Sequence, residues 1–282
     1  MGLYSRVTLR MVLKMNKFNK KNSPDQPLVS IITVCLNNGE NLENTIKSVI
    51  NQTYSNIEYI IIDGGSTDNT IDIIKKYESK IEHWLSEKDK GIYDAMNKGV
   101  SLAKGKWIIF MNAGDEFYSR NTIEQIFNKK YIGFDFIYGD CEIIYSKDFS
   151  RIQKAGELKD LWKGMVFSHQ SLFTNRDVFN KYQFDIENII GADFEFIFEC
   201  YKNNFKFYNC QIPISRVLAG GLSDTKRIES ILSRKSTVNR FSKNQKINLY
   251  YLMLLVEAVI KLGIKKVLPQ RIHDYFLRKK YK

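Results

Sequence analysis

The sequence predicts an open, mostly parallel α/β sheet with helices on both faces, followed by a basic helical C-terminal segment. Three observations carry that prediction. Apolar runs of strand length alternate with segments of helical period from residue 28 to residue 111. Strand, helix and strand recur within about 35 residues, the length of a right-handed parallel crossover. Each run also ends in a polar or acidic turn, at the sheet edge where such folds bind ligands.

The first strand is expected over 28–36 (LVSIITVCL), a near-continuous apolar and β-branched run suited to burial on both faces. Leu42, Ile46, Val49 and Ile50 then recur at helical spacing, and 57–62 (IEYIII) forms a second buried strand. A helix at 67–77, a short strand at 82–86, a helix at 92–103 and a strand at 107–111 continue the alternation. The strand exits read Leu36-Asn37-Asn38, Asp63-Gly64-Gly65-Ser66, Ser86-Glu87-Lys88-Asp89 and Asn112-Ala113-Gly114-Asp115.

Beyond residue 120 the pattern is mixed, with aromatic-rich runs at 134–138, 166–173 and 205–208 between weak helices. It reads as an α+β half of the same domain. A break is expected near Asp224. The organisation is thus a basic, poorly ordered extension over 1–26, a domain over 27–225 and an amphipathic helical tail over 226–282.

With 282 residues, 44% hydrophobic and 26% charged, the chain can bury a large core, which excludes disorder and a disulfide miniprotein. The formal charge of +12 suggests an acidic partner. Its placement changes that reading, because residues 1–24 carry +6 and residues 226–282 carry +12, leaving 25–225 at −6. No nucleic-acid partner is therefore expected of the core.

Cys35, Cys141, Cys200 and Cys210 show no C-x-x-C spacing, which points to a reduced, cytoplasmic chain. The first 20 residues have no continuous apolar stretch and do not read as a secretory signal. In the tail, 250–260 (YYLMLLVEAVI) is about half the roughly 20 residues needed to span a bilayer. Two placements fit it: an amphipathic helix on an anionic membrane surface, or a helix packed on the domain or on a second subunit, including a homodimer.

Several chemistries are excluded by motif. A single glycine in Asn37-Asn38-Gly39-Glu40-Asn41 disfavours a Rossmann dinucleotide site, and no Walker A, H-E-x-x-H or G-x-S-x-G pattern occurs. What remains is carboxylates and glycines at strand ends, suited to a divalent cation and a nucleoside diphosphate. Asp63 and its glycines make a helix-capping turn or let a flat base approach the backbone. Asp115 is either a turn residue or a cation ligand. Asp193, among aromatics in Gly191-Ala192-Asp193-Phe194-Glu195, either caps a helix or is a general base with a raised pKa.

In combination the segments VSIITVCLN, DGGSTDNT, SEKDKGIYDAMNKG, MNAGDEF, FSHQSLF, GADFEF and AGGLS resemble family 2 glycosyltransferases of the GT-A fold, from about residue 28 to residue 223. GIYDAMNKG with SHQ and GG-x-S is most similar to the branch acting in colanic acid, capsule and O-antigen assembly. The resemblance implies an inverting, metal-dependent transfer from a nucleotide sugar, with Mn²⁺ or Mg²⁺ as cofactor and a UDP-sugar favoured as donor. It also implies a saccharide or lipid-linked saccharide as acceptor.

Residue by residue, the resemblance assigns Asp63 to the base, Asp89 to the donor site, Asp115 to the metal and Asp193 to the catalytic base. It also places Gly64, Gly65, Asn112 and Thr33 at the donor. The chain departs from many relatives in carrying Asp63-Gly64 for paired aspartates, and Ala113-Gly114-Asp115 for an acidic triplet.

Four further residues have more than one reading. His169 is a ligand to metal or diphosphate, an acceptor-side group or a structural histidine. Lys98 attracts phosphate or belongs to a solvated face. Gly220 and Gly221 form a mobile loop or a plain turn. Absence of Q-x-x-R-W points to a non-processive enzyme, peripheral on the cytoplasmic face of the membrane. The alternative is a non-catalytic sugar-nucleotide-binding or scaffold protein with a degenerate metal site.

Overall fold

The computed structural model describes residues 26–129 and 131–267. The extension expected over 1–26 therefore lies, apart from Gln26, outside the described residues, as do residues 268–282 of the tail. The first elements follow the expected order: β1 (Val29–Cys35), α1 (Gly39–Ile50), β2 (Ile57–Asp63), α2 (Thr70–Lys76), β3 (His83–Ser86), α3 (Ile92–Leu102) and β4 (Trp107–Phe110). The second half adds β5 (Glu116–Phe117), α4 (Thr122–Phe127), β6 (Phe136–Ser146), β7 (Phe149–Gln153), β8 (Leu172–Asn175), α5 (Ala192–Lys202) and β9 (Phe207–Leu218). Three helices close the described chain: α6 (Leu222–Thr225), α7 (Arg227–Phe241) and α8 (Gln245–Val267).

One sheet runs through the molecule in the order β3-β2-β1-β4-β8-β6-β9-β5, with β7 also on β6. β3, β2, β1 and β4 are parallel, and β8 joins β4 antiparallel. The chain builds outward from β1 to β3 and returns to the other side of β1 as β4, so the order reverses between β1 and β4. Ligands are expected at the carboxyl ends of strands flanking such a reversal.

Strand alternation divides the core into two layers. Ile32 and Val34 of β1, Ile60 and Ile62 of β2, and Ile108 and Phe110 of β4 pack with residues of α3, α5, α7 and α8. Ile31, Ile61 and Ile109 point the other way, into a layer with α1, α2 and α4. Both faces of these strands are therefore dry, which is why their sequences are apolar throughout.

The C-terminal segment packs on the domain. Ile231 and Val238 of α7, with Ile247, Tyr251 and Ala258 of α8, are buried in the first layer, and the Tyr251 hydroxyl donates to the Trp162 carbonyl at 2.8 Å. Elsewhere on α8, Leu249, Leu252, Met253, Val256, Val259 and Ile260 are each more than half exposed. Among the described residues no helix is long and apolar enough to cross a membrane.

Candidate active site

Beyond the ends of β4 and β9 lies an open cavity of about 650 Å³, whose lining includes Asn112, Asp115, His169, Asp193, Arg227 and Arg234. The wall after β4 is a tight turn, with the Asp115 amide donating to the Asn112 carbonyl at 2.9 Å and Gly114 at φ +105°. That positive φ is the reason for glycine there. Thr45 of α1 holds the turn, since its Oγ1 accepts from the Gly114 amide at 2.9 Å and donates to the Asp115 carbonyl at 2.8 Å. The Asn38 side chain, from the exit of β1, donates to the Ala113 carbonyl at 2.9 Å.

This turn sinks the Asp115 carboxyl, and burial pushes its pKa up to about 7 even though Gln170 hydrogen-bonds to it. Near it, Asn112 Oδ1 and both ring nitrogens of His169 are buried without a hydrogen-bond partner. Phe110 stacks on the imidazole at 5.2 Å between centroids, and burial lowers the His169 pKa, so the ring is neutral near pH 7. Buried polar atoms rarely stay unpaired in a native protein.

No cluster of three His, Cys, Asp or Glu side chains fit for a metal occurs among the described residues. The donor set nevertheless suits a divalent cation that takes one protein carboxylate and completes its shell with phosphate oxygens. Asp115 would supply the anionic ligand to such a cation, and the uncommitted Asn112 Oδ1 and the His169 imidazole would be further donors in the same cavity.

Asp193 stands in the first turn of α5 behind Gly191 and makes no capping bond. Its Oδ1 instead accepts from the Tyr93 hydroxyl of α3 at 3.0 Å, a contact that fixes the carboxylate at the cavity wall. Gly220, at φ +91°, and Gly221 line the same cavity, and a Cβ on either would meet no atom within 4 Å. Both glycines therefore leave open space above the cavity.

Asp63, Gly64, Gly65 and Asp89 form a second group, at the end of β2 and just before α3. The Asp63 carboxylate is fully buried and accepts from the Gly65 and Ser66 amides at 3.1 and 3.0 Å and from Ser86 Oγ at 2.7 Å. Ser66 Oγ also donates to it. In this arrangement Asp63 holds the turn. A Cβ on Gly64 would lie 2.4 Å from Asp89 Oδ2 and displace that carboxylate, and Gly65 is favoured by its φ of +87°. Asp89 Oδ1 accepts from the Gly91 amide at 2.9 Å, ahead of α3.

Two further residues named from sequence lie away from the cavity. Thr33, expected at the donor, is fully buried inside β1 with its hydroxyl given to the Met111 carbonyl at 2.7 Å, because it sits mid-strand rather than at the exit. Lys98 does not line the cavity and is engaged by Glu87 at 2.9 Å and Asp94 at 3.2 Å, the ion-paired face its spacing on α3 allows. The reading from sequence passed over Tyr93 and Gln170, although both fall inside the motifs GIYDAMNKG and SHQ. It also passed over Arg227 and Arg234, which carry no motif and were assigned to the tail.

Residues 30–194 match the family described as Glycosyl transferase family 2. A curated relative, the PGL/p-HBAD biosynthesis glycosyltransferase of Mycobacterium bovis (strain BCG / Pasteur 1173P2), is 33% identical over 207 residues, covering 71% of this chain and 80% of that protein. Escherichia coli UDP-Glc:alpha-D-GlcNAc-diphosphoundecaprenol beta-1,3-glucosyltransferase WfgD is 27% identical over 249 residues, covering 86% of this chain and 96% of its own. Among solved structures, the mannosyltransferase PcManGT from Pyrobaculum calidifontis, in complex with GDP-Man and Mn²⁺, is similar with a TM-score of 0.63 at 14% identity, over 94% of this chain and 83% of that one. S. aureus TarS 1-349 in complex with UDP gives a TM-score of 0.59 at 15% identity, over 82% and 70%.

Proposed function

Because the chain belongs to glycosyl transferase family 2, we propose that it moves one sugar, with inversion and with a divalent cation, from a nucleoside diphosphate to a hydroxyl of a saccharide acceptor. The observation that carries the reading is two carboxylates in different surroundings within one cavity. Asp115 is part-buried beside uncommitted donors, and Asp193 is held by the Tyr93 hydroxyl.

In this reading Asp115, with Asn112 and His169, would hold Mn²⁺ or Mg²⁺. The cation supplies charge neutralisation to the leaving diphosphate. Asp193 takes the proton of the acceptor hydroxyl as the new glycosidic bond forms at the anomeric carbon. The bond to the diphosphate breaks as the nucleotide leaves with its electron pair. A single displacement inverts the anomeric configuration. Tyr93 keeps Asp193 aimed, and Asp63, Gly64, Gly65 and Asp89 shape the turn that a nucleoside base would approach.

A uridine donor is favoured by WfgD, which is named for UDP-Glc, and a lipid-linked acceptor by the diphosphoundecaprenol in the same name. The exposed apolar residues of α8, with Lys243 and Lys246 near its start, support peripheral attachment to the cytoplasmic face of an anionic membrane. Nucleotide release from a panel of UDP-, GDP- and dTDP-sugars, with Mn²⁺ or EDTA, tests the reading. Release from one donor, abolished by EDTA and by Asp115→Ala, with NMR of the transferred product showing an inverted anomeric centre, is expected. Release unaffected by EDTA, or a retained configuration, would sink it, and donor binding without turnover under any condition would mark a non-catalytic protein.

A further inference from the structure

Three residues of α7 at positions i, i+3 and i+7, Arg227, Ser230 and Arg234, line the cavity that holds Asp115 and Asp193. Neither arginine has a carboxylate within ion-pairing distance among the described residues, although Arg216 and Arg240 do. Arg234 gives its Nε to the Ser230 carbonyl at 3.1 Å, and a Cβ on Gly164 would come within 2.7 Å of its Nη1. The guanidinium is thus part-buried and laid against bare backbone. Arg227 opens α7, where the helix end is already positive.

Desolvation holds the Arg234 pKa below its ordinary value, and the charge of Arg227 pushes it the same way. A guanidinium cannot discharge near neutral pH, so two part-buried cations that repel each other are costly until an anion arrives. Asp193 is the carboxylate whose charge reaches Arg234, and it is not within ion-pairing distance. α7 packs on α5, the helix that carries Asp193: a Cβ on Gly191 would lie 2.5 Å from Ser233 Oγ, and Arg240 pairs with Glu195. The pair therefore belongs to the general-base end of the cavity, where the acceptor enters.

We propose that Arg227 and Arg234 form an anion subsite, distinct from the donor's metal site, that takes a phosphate or diphosphate group of the acceptor. The inference rests on the reading of Asp193 as the base on the acceptor side. Arginine forks suit phosphate oxygens, and Ser230 adds a hydroxyl on the same helix face. An acceptor phosphate held there would place the saccharide it carries beside Asp193, so a neutral oligosaccharide would bind less well.

Calorimetric titration of the full chain separates the sources of phosphate, with inorganic pyrophosphate in EDTA in one arm and UDP with Mn²⁺ in the other. Arg227→Gln and Arg234→Gln are expected to weaken pyrophosphate binding at least about tenfold each, with UDP affinity unchanged within about twofold. Lys243→Gln, an exposed change of the same charge, should alter neither. Arg234→Gln should also melt no lower than the wild type, since it removes a part-buried unpaired charge. UDP affinity falling together with pyrophosphate affinity would assign the pair to the donor's diphosphate and overturn the proposal. Pyrophosphate bound equally by the variants, or not bound by the wild type, would overturn it too. Failure of the wild type to bind UDP would instead tell against the transferase reading, which the pyrophosphate arm does not test.

Discussion

At the scale of single residues, the site trades stability for charge. Asp115 has a folded-state pKa of about 7 against an ordinary 3.8. Between those values the unfolded chain has lost the proton and the folded chain keeps it, so stability falls as pH rises through the window. In metal-free protein, Asp115→Asn should therefore raise the melting temperature by at least about 2 °C at pH 8 and change it little near pH 4. Melts in EDTA at the two pH values check this; equal shifts at both would show that the carboxyl is not desolvated. The identities of Asp115 and Asp193 were legible in the sequence because each sits in a strand-exit or helix-start motif. Their surroundings were not. That Tyr93 reaches Asp193 from 100 residues away, and that Asp63 turns inward on its own loop, depends on long-range packing that no local pattern records.

Among the elements, the parallel strands could be read directly because burial on both faces makes them apolar without interruption. β6 and β9 could not. β6 carries Gly139, Asp140 and Glu142, and β9 carries Asn209, Gln211 and Pro213, which break any apolar run. The two pair across register shifts at Tyr138/Asp140 and Asp140/Cys141, and a Cβ on Gly139 would lie 2.4 Å from the Ile212 carbonyl. The irregularity is thus built from the residues that hide the strands. The C-terminal helices show a different ambiguity, since the apolar content of α8 serves two faces, one buried against the domain and one exposed. If the exposed face meets lipid, Leu252→Glu with Val256→Glu should reduce flotation with anionic phosphatidylglycerol vesicles several-fold while leaving the melting temperature within a few degrees. Unchanged flotation would place that face against a protein instead.

For the whole molecule, the sheet reversal between β1 and β4 brings together what the chain separates. The turn after β4 delivers Asn112 and Asp115, α3 and α5 deliver Tyr93 and Asp193, and α7 closes the far wall with Arg227 and Arg234. The sequence order of these pieces was plain, and so was the fold class. The inclusion of α7 in the cavity was not, because its basic composition reads equally as a solvated tail. In the proposed reaction the labour is divided, with Asp115 serving donor and cation and Asp193 serving the proton. The most direct test of that division measures UDP affinity with Mn²⁺ alongside nucleotide release in Asp193→Asn. UDP affinity within about twofold of the wild type, with release slowed by about 10² or more, is the predicted result. Release at the wild-type rate, or loss of UDP binding in that variant, would contradict it.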